Sequence, residues 1–160
     1  MMQEFSVNDL LHEDLVLMDV VAGSVEELME QICGYAQKKG YVKDSYLAAV
    51  LERENSYPTG LPTEVMKVAL PHTTDQSHVL KSGIFIAKLP KPVSFKEMGE
   101  GINDVPVEMV FMLTVNGTKE QLTVLQNIVG MFTKPEALAA LKNTNTAADI
   151  IAAIKTHLDT

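Results

Sequence analysis

The chain predicts an α/β fold: a single domain with a mixed β-sheet flanked by α-helices. Three observations lead there. Short runs rich in valine, isoleucine and phenylalanine stand between segments whose apolar residues recur at helical spacing. The two kinds of segment intermix along the chain, which favours α/β over separate helical and sheet regions. No internal repeat, low-complexity tract or linker interrupts the 160 residues, so 1–160 reads as one domain, long enough to build a proper core.

Each element has its own signal. Phe5 to Val20 is short and mixed, with Leu15-Val16-Leu17-Met18 as a brief strand. Ser24 opens the first helix: SVEE reads as a capping box, with Ser24 as the cap and Glu27 three positions on. Val25, Leu28, Met29, Ile32 and Ala36 repeat at helical spacing, and Gly40 closes the helix. Asp44 caps a second helix, Ser45 to about Glu54, with Tyr46, Ala49 and Val50 inward. The stretch NSYPTGLP, Asn55 to Pro62, is a loop. Val65 to Leu70 reads as a strand that Pro71 terminates, because proline has no N–H to give the ladder. Ile84 to Leu89 is another strand, and Val93-Ser94-Phe95, behind Pro90 and Pro92, a short edge strand. Val107 to Val115 is apolar enough for a central strand buried on both faces. Asn116-Gly117-Thr118 turns the chain into a helix from Lys119 to about Phe132, with Leu122, Leu125, Ile128 and Val129 facing the core. Pro135 to Leu141 and Thr146 to about Leu158 are the last helices, the latter presenting Ala147, Ile150, Ile151 and Ile154 inward.

Composition narrows the function. Apolar residues make up 46% and the net charge is −8, so the chain reads as a soluble globular protein without the basic footprint that nucleic acid requires. The same charge disfavours anionic membrane surfaces, and no apolar run approaches the length of a membrane span. One cysteine, Cys33, cannot form an internal disulfide, which fits a reducing compartment. The opening MMQEFSVNDLLHED lacks the basic flank and apolar core of a signal peptide. The expectation is a cytoplasmic protein.

The chemistry concentrates in VALPHTTDQSH, Val68 to His78. His72 follows a predicted strand and Pro71, at a strand end where α/β proteins commonly place their sites. A neutral imidazole there offers a lone pair to act as nucleophile, base or ligand; the alternative is a histidine hydrogen-bonded at a strand end. Arg53, at the end of the second helix, suits phosphate oxygens because its planar fork donates in pairs; otherwise it is a solvated cation complementing the helix dipole. Thr59-Gly60 offers a hydroxyl and an exposed backbone N–H, or is simply a turn.

RENSYPTG followed by VALPH resembles the signature of the fructose–mannitol class of enzyme IIA domains of the bacterial sugar phosphotransferase system. PTGLP and a second histidine soon after PH are most similar to the galactitol-type branch. The resemblance spans Ser6 to Leu158, nearly the whole chain. It implies the fructose/mannitol-type enzyme IIA fold and a phosphocarrier with no cofactor. His72 would take a phosphoryl group from the phosphohistidine of HPr, on Nε2, and pass it to a cysteine of enzyme IIB. Enzyme IIB in turn works with the membrane component IIC. Arg53, Thr59 and Gly60 match the family's arginine and threonine-glycine positions, for charge stabilisation and phosphate binding. The opposite ring nitrogen needs a partner to fix the tautomer, and a backbone carbonyl is the favoured one.

The sequence departs from the wider pattern at one place. A second histidine at the start of a later helix is replaced by Gln121 in TKEQLTVL, which can orient by hydrogen bonding but cannot titrate. His78 is placed to serve instead, beside the phosphoryl group; its alternative is an exposed loop histidine. Asp75, between the histidines, is expected to point outward, since a carboxylate would repel a phosphohistidine. His12 and His157 read as surface residues, and Met66, Met98, Met109, Met112 and Met131 as core and interface filler. Leu61, Val79 and Leu80 are candidates for the apolar centre of a transient partner contact.

Two other readings stand. HTTDQSH offers His72, Asp75 and His78 as a metal site, without a standard spacing. The same fold can also serve a regulatory phosphoprotein uncoupled from transport. In this family the IIA component does not touch the sugar, so galactitol or a related polyol is a matter of sequence likeness.

Overall fold

The computed structural model describes residues 6–158. Phe5 and the start of the N-terminal stretch lie outside them. Four strands form one mixed sheet in the order β1-β3-β4-β2. These are β1 (Val16–Leu17), β2 (Val68–Ala69), β3 (Gly83–Lys96) and β4 (Asp104–Thr114). β3 and β4 pair antiparallel at the centre, while the short β1 and β2 run parallel to β3 and β4 at the two edges. Five helices flank the sheet: α1 (Val25–Lys38), α2 (Tyr46–Ser56), α3 (Thr118–Phe132), α4 (Pro135–Lys142) and α5 (Ala147–His157).

The central strands are apolar on both faces because each face is covered. Ile84 and Ile86 of β3, with Phe111 and Leu113 of β4, pack into a core shared with Val124, Ile128, Leu138, Ile150 and Ile154 of α3–α5. Phe85 and Ala87, with Val110 and Met112, turn the other way onto Leu28, Ile32, Tyr46 and Val50 of α1 and α2. The period-two alternation of a strand thus feeds two separate cores.

Several elements differ from expectation. Val93-Ser94-Phe95 is the far end of β3. A register shift between Lys88 and Val93 takes up Pro90 and Pro92, whose missing N–H groups are tolerated at such an irregularity. The expected strand Val65 to Leu70 pairs with the sheet only at Val68–Ala69. α2 runs on to Ser56, and Ser45 rather than Asp44 holds its cap position, without a side-chain cap bond. Ser24 does cap α1, accepting from the Glu27 N–H at 3.2 Å, but the Glu27 carboxylate reaches back to the Gly23 N–H at 2.9 Å, one residue before the cap. α3 bears out its expected face only in part. Val124, Ile128, Met131 and Phe132 are buried and Leu125 half-buried, while Leu122 and Val129 are exposed. Met98 is exposed, and the other four methionines named above are core residues. His12 is exposed and His157 half-buried.

Candidate functional site

Tyr46, Val50 and Glu54 sit four residues apart on α2, and all three are buried. The stripe that anchors the helix therefore carries a carboxylate inside at its last turn. A buried charge needs compensation. Glu54 finds it in the loop that follows: Oε2 accepts the Thr59 N–H at 2.8 Å and Oε1 accepts the Thr59 hydroxyl at 2.8 Å. Burial pushes the Glu54 carboxyl up from its ordinary range, while the two Thr59 bonds and the nearby Arg53 charge pull it back.

The Thr59 hydroxyl is in turn the acceptor for the Leu70 N–H at 3.1 Å. This explains where β2 ends. After Ala69 the backbone leaves the ladder, and the next N–H turns to Thr59 rather than to β4. One residue later the Pro71 carbonyl accepts from the Leu113 N–H of β4 at 3.1 Å. Leu70 is thus held on both sides, and its own carbonyl lies 2.7 Å from Nδ1 of His72. A carbonyl only accepts, so Nδ1 carries the proton and Nε2 bears the lone pair. The backbone-carbonyl partner expected for the ring is therefore present.

His72 keeps 8% of its surface exposed, low for a reactive group, so access to Nε2 decides whether the ring is usable. Among the described residues, the polar side-chain atoms both buried and without a partner are Asn8 Oδ1, Arg53 Nε and Gln76 Nε2. His72 Nε2 has no hydrogen-bond partner there and is not one of these atoms, so it reaches the surface. Burial lowers the His72 pKa, the Leu70 carbonyl opposes that, and the Arg53 charge lowers it further. The net shift is downward, which favours a neutral ring at neutral pH.

Arg53 stands one residue before Glu54, about 100° round the helix from it, and lines the neighbouring cleft. Its guanidinium carbon lies 4.1 Å from the centroid of the Tyr57 ring, a stacking that orients the fork. No carboxylate of the described residues lies within ion-pair distance of it. Its Nε is buried without a partner, so the guanidinium keeps donors that a bound oxyanion could take. Arg53 lines an open cleft of about 300 Å³ together with Glu52, Tyr57, Thr73, Thr74, Asp75 and His78. His72 does not line the cleft itself; its neighbour Thr73 does.

His78 falls on the same cleft, bonded on both ring nitrogens. Nδ1 is 2.7 Å from the Ser45 hydroxyl and Nε2 is 3.2 Å from the Asp75 carboxylate. Asp75 is exposed, as expected, and its carboxylate also pairs with His78 and accepts from the Ser77 N–H and hydroxyl. Those Ser77 bonds, and the His78 ring after them, hold the Asp75 carboxyl below its usual range. Gln121 is buried and donates to the Thr73 carbonyl at 3.1 Å, fastening the segment just after His72 to the start of α3.

The Thr59-Gly60 expectation needs correction. The Thr59 hydroxyl is buried and fully engaged, and the Gly60 N–H is given to the Lys96 carbonyl at 3.1 Å. Neither group is free for a phosphate. They brace the site: Gly60 bridges to Glu97 and Leu61 to Val68, stitching the loop between β2 and the end of β3. Of the three residues expected to meet partners, only Leu80 is exposed; Val79 is buried in the α1–α2 core and Leu61 is half-buried against the other. Nor does HTTDQSH gather as a metal site, since among the described residues no three histidine, cysteine or acidic side chains are placed to share an ion. Sequence reasoning missed Glu54 and Ser45. Glu54 continues the Tyr46–Val50 stripe by four and was open to detection; nothing in the sequence links Ser45 to His78.

Comparison with known proteins fits this arrangement. Residues 9–157 match the family described as "Phosphoenolpyruvate-dependent sugar phosphotransferase system, EIIA 2". The chain belongs to that family and is a phosphotransferase component of the EIIA type. It is 30% identical over 115 residues to the galactitol-specific EIIA component of Escherichia coli, covering 72% of this chain and 75% of that one. It is 28% identical over 145 residues to the mannitol-specific enzyme IIA component of Bacillus subtilis, covering 89% and 94%. The mannitol-specific EIICBA component of Buchnera aphidicola is 29% identical over 143 residues, but the chain spans only 21% of its length. Among solved structures, IIA mannitol of Escherichia coli superposes with a TM-score of 0.71 at 21% identity, covering 90% of this chain and 98% of the other. Nitrogen regulatory protein IIA-Ntr of Neisseria meningitidis gives 0.73 at 23%, covering 92% and 98%. These two show a shared fold.

Proposed function

We propose that the protein is a cytoplasmic phosphocarrier in which Nε2 of His72 accepts a phosphoryl group from phospho-HPr and hands it to a cysteine of an enzyme IIB, in the uptake of galactitol or a related polyol. The observation that carries this reading is the His72 ring itself. Its Nδ1 is tied to the Leu70 carbonyl at 2.7 Å, and its Nε2 is accessible and unpartnered. The polyol assignment rests on likeness to galactitol- and mannitol-specific relatives. The IIB partner draws support from a similar fold solved as a "Complex of enzyme IIAMTL and phosphorylated enzyme IIBMTL" of Escherichia coli, TM-score 0.74.

The tautomer makes the chemistry economical in protons. On acceptance the P–N bond of the donor phosphohistidine breaks and its electron pair returns to the donor nitrogen. A bond forms from the Nε2 lone pair to phosphorus, while the proton stays on Nδ1 and gains positive charge that the Leu70 carbonyl accommodates. On release to a thiolate, an S–P bond forms, the P–Nε2 bond breaks, and the ring returns to its starting tautomer. No proton moves at Nε2 in either direction. Arg53, with no competing carboxylate, neutralises the equatorial oxygens in transit. The carrier needs no cofactor, since the phosphoryl group travels covalently.

Incubation with enzyme I, HPr and radiolabelled phosphoenolpyruvate tests this. One label per chain is expected for the native protein and none for His72→Ala; a fully labelled His72→Ala would refute the assignment.

A further inference from the structure

We infer that Glu54 and Thr59 are positioning residues that set the reactive tautomer of His72 through a continuous hydrogen-bond chain, rather than groups that bind the phosphate. The inference rests on the function proposed above and concerns how its acceptor is prepared. The chain runs from the Glu54 carboxylate to the Thr59 hydroxyl at 2.8 Å, from there to the Leu70 N–H at 3.1 Å, and from the Leu70 carbonyl to His72 Nδ1 at 2.7 Å.

Each link has one direction. An ionised carboxylate only accepts, so the Thr59 hydroxyl must spend its single proton on Glu54, and its lone pairs face the Leu70 N–H. The Thr59 N–H also goes to Glu54, which removes the hydroxyl's freedom to move away. With Leu70 N–H held by Thr59 and the Pro71 carbonyl held by Leu113 N–H, the peptide group between them has little room to rotate. Its carbonyl is therefore fixed on Nδ1, and a fixed acceptor keeps the proton there and the lone pair on Nε2. Were that carbonyl to swing off, the ring would sample the other tautomer, whose Nε2 carries a proton and cannot attack phosphorus. Glu54 and Arg53 are adjacent on α2 but do opposite tasks: one turns inward to hold the acceptor's backbone, the other turns to the cleft where the phosphoryl group passes.

The test is made on the full chain, with the ring nitrogens read by long-range proton–nitrogen NMR and transfer from phospho-HPr read by rapid quench. Thr59→Val keeps the shape but deletes the hydroxyl. It should populate the Nε2–H tautomer of His72 and lower kcat by about tenfold with KM for the donor little changed, because the donor's docking is untouched. Thr59→Ser, which restores the hydroxyl, should return the ring to Nδ1–H. Glu54→Gln puts an amide NH2 opposite one of the two Thr59 donors, and should shift tautomer and kcat in the same direction. It carries the same readouts if Thr59→Val does not fold. A folded variant of either kind with the ring wholly in the Nδ1–H form and native kcat overturns the inference. Loss of native labelling at His72 would instead remove the functional reading, and the tautomer measurement would still decide the chain of bonds.

Discussion

At the residue scale the proposed function divides two tasks that one histidine cannot do alone: holding a lone pair outward and stabilising the charge it would receive. Arg53 is the group assigned the second task, so Arg53→Ala is expected to slow phosphoryl transfer by about a hundredfold while leaving the His72 tautomer as it is. Arg53→Lys should recover only part of the rate, since a point charge does not replace the fork. Quench-flow kinetics check both, and a native rate in Arg53→Ala would contradict the role. The His72 pKa is lowered below 6.5, chiefly by burial. The sign follows: as pH falls through 6.5 the unfolded ring takes up a proton before the folded one does, so this group's contribution is present above 6.5 and is lost toward the lower folded value. NMR titration should find the folded ring still mostly neutral at pH 6.5, and a half-protonated ring there would contradict the burial argument. His72, its backbone-carbonyl partner and Arg53 were readable in the sequence, but Glu54, Ser45 and the hydrogen-bond duties of Thr59 and Gly60 were not. Thr59 and Gly60 look like phosphate ligands by type and spacing, yet their polar atoms are consumed by Glu54, Leu70 and Lys96, partners that only the fold brings near.

At the element scale, the site depends on how closely the Thr59–Leu61 loop lies against the end of β3. A Cβ placed on Gly60 would fall 2.6 Å from the Lys96 carbonyl oxygen and 3.2 Å from the Phe95 Cβ, and the first of these is backbone that cannot step aside. Gly60→Ala is therefore expected to destabilise the protein by about 1–3 kcal/mol, and to slow phosphoacceptance as Thr59 is displaced. Denaturant unfolding and labelling on the same preparation check this, and a variant native in both would show that the loop has slack. Most elements were legible because their signals are local: the Ser24 cap, the Leu28–Ile32–Ala36 stripe, and proline at the start of α4. α3 was read only in part because it carries two apolar stripes. Leu122, Leu125, Ile128 and Val129 make a sound helical face, and so do Gln121, Val124, Ile128 and Met131, with Ile128 common to both. Only packing against β3 and β4 chooses between them, and it buries the stripe whose first member is polar and bonded to Thr73. The two prolines of β3 misled in a similar way, since a long irregular strand and two short ones look alike until β4 pairs with both parts.

At the scale of the whole molecule, the sheet order was beyond the sequence because both edge strands are two residues long and owe their positions to what surrounds them. The two-core arrangement follows from β3 and β4 and makes Cys33 a reporter of its integrity. That thiol is buried against Met112, and burial pushes its pKa up to about 12. In the native protein it should resist thiol reagents until the α1–α2 face opens, reacting at a rate that tracks global unfolding across denaturant. Rapid modification under native conditions would mean that this face opens locally. The proposed function rests on one atom receiving one group. The most direct measurement is to phosphorylate the isotopically labelled protein with enzyme I, HPr and phosphoenolpyruvate and to locate the P–N bond by phosphorus–nitrogen coupling. A single adduct on Nε2 of His72, with Nδ1 still protonated, is the predicted result; phosphorus on Nδ1, on His78, or on no histidine would contradict it.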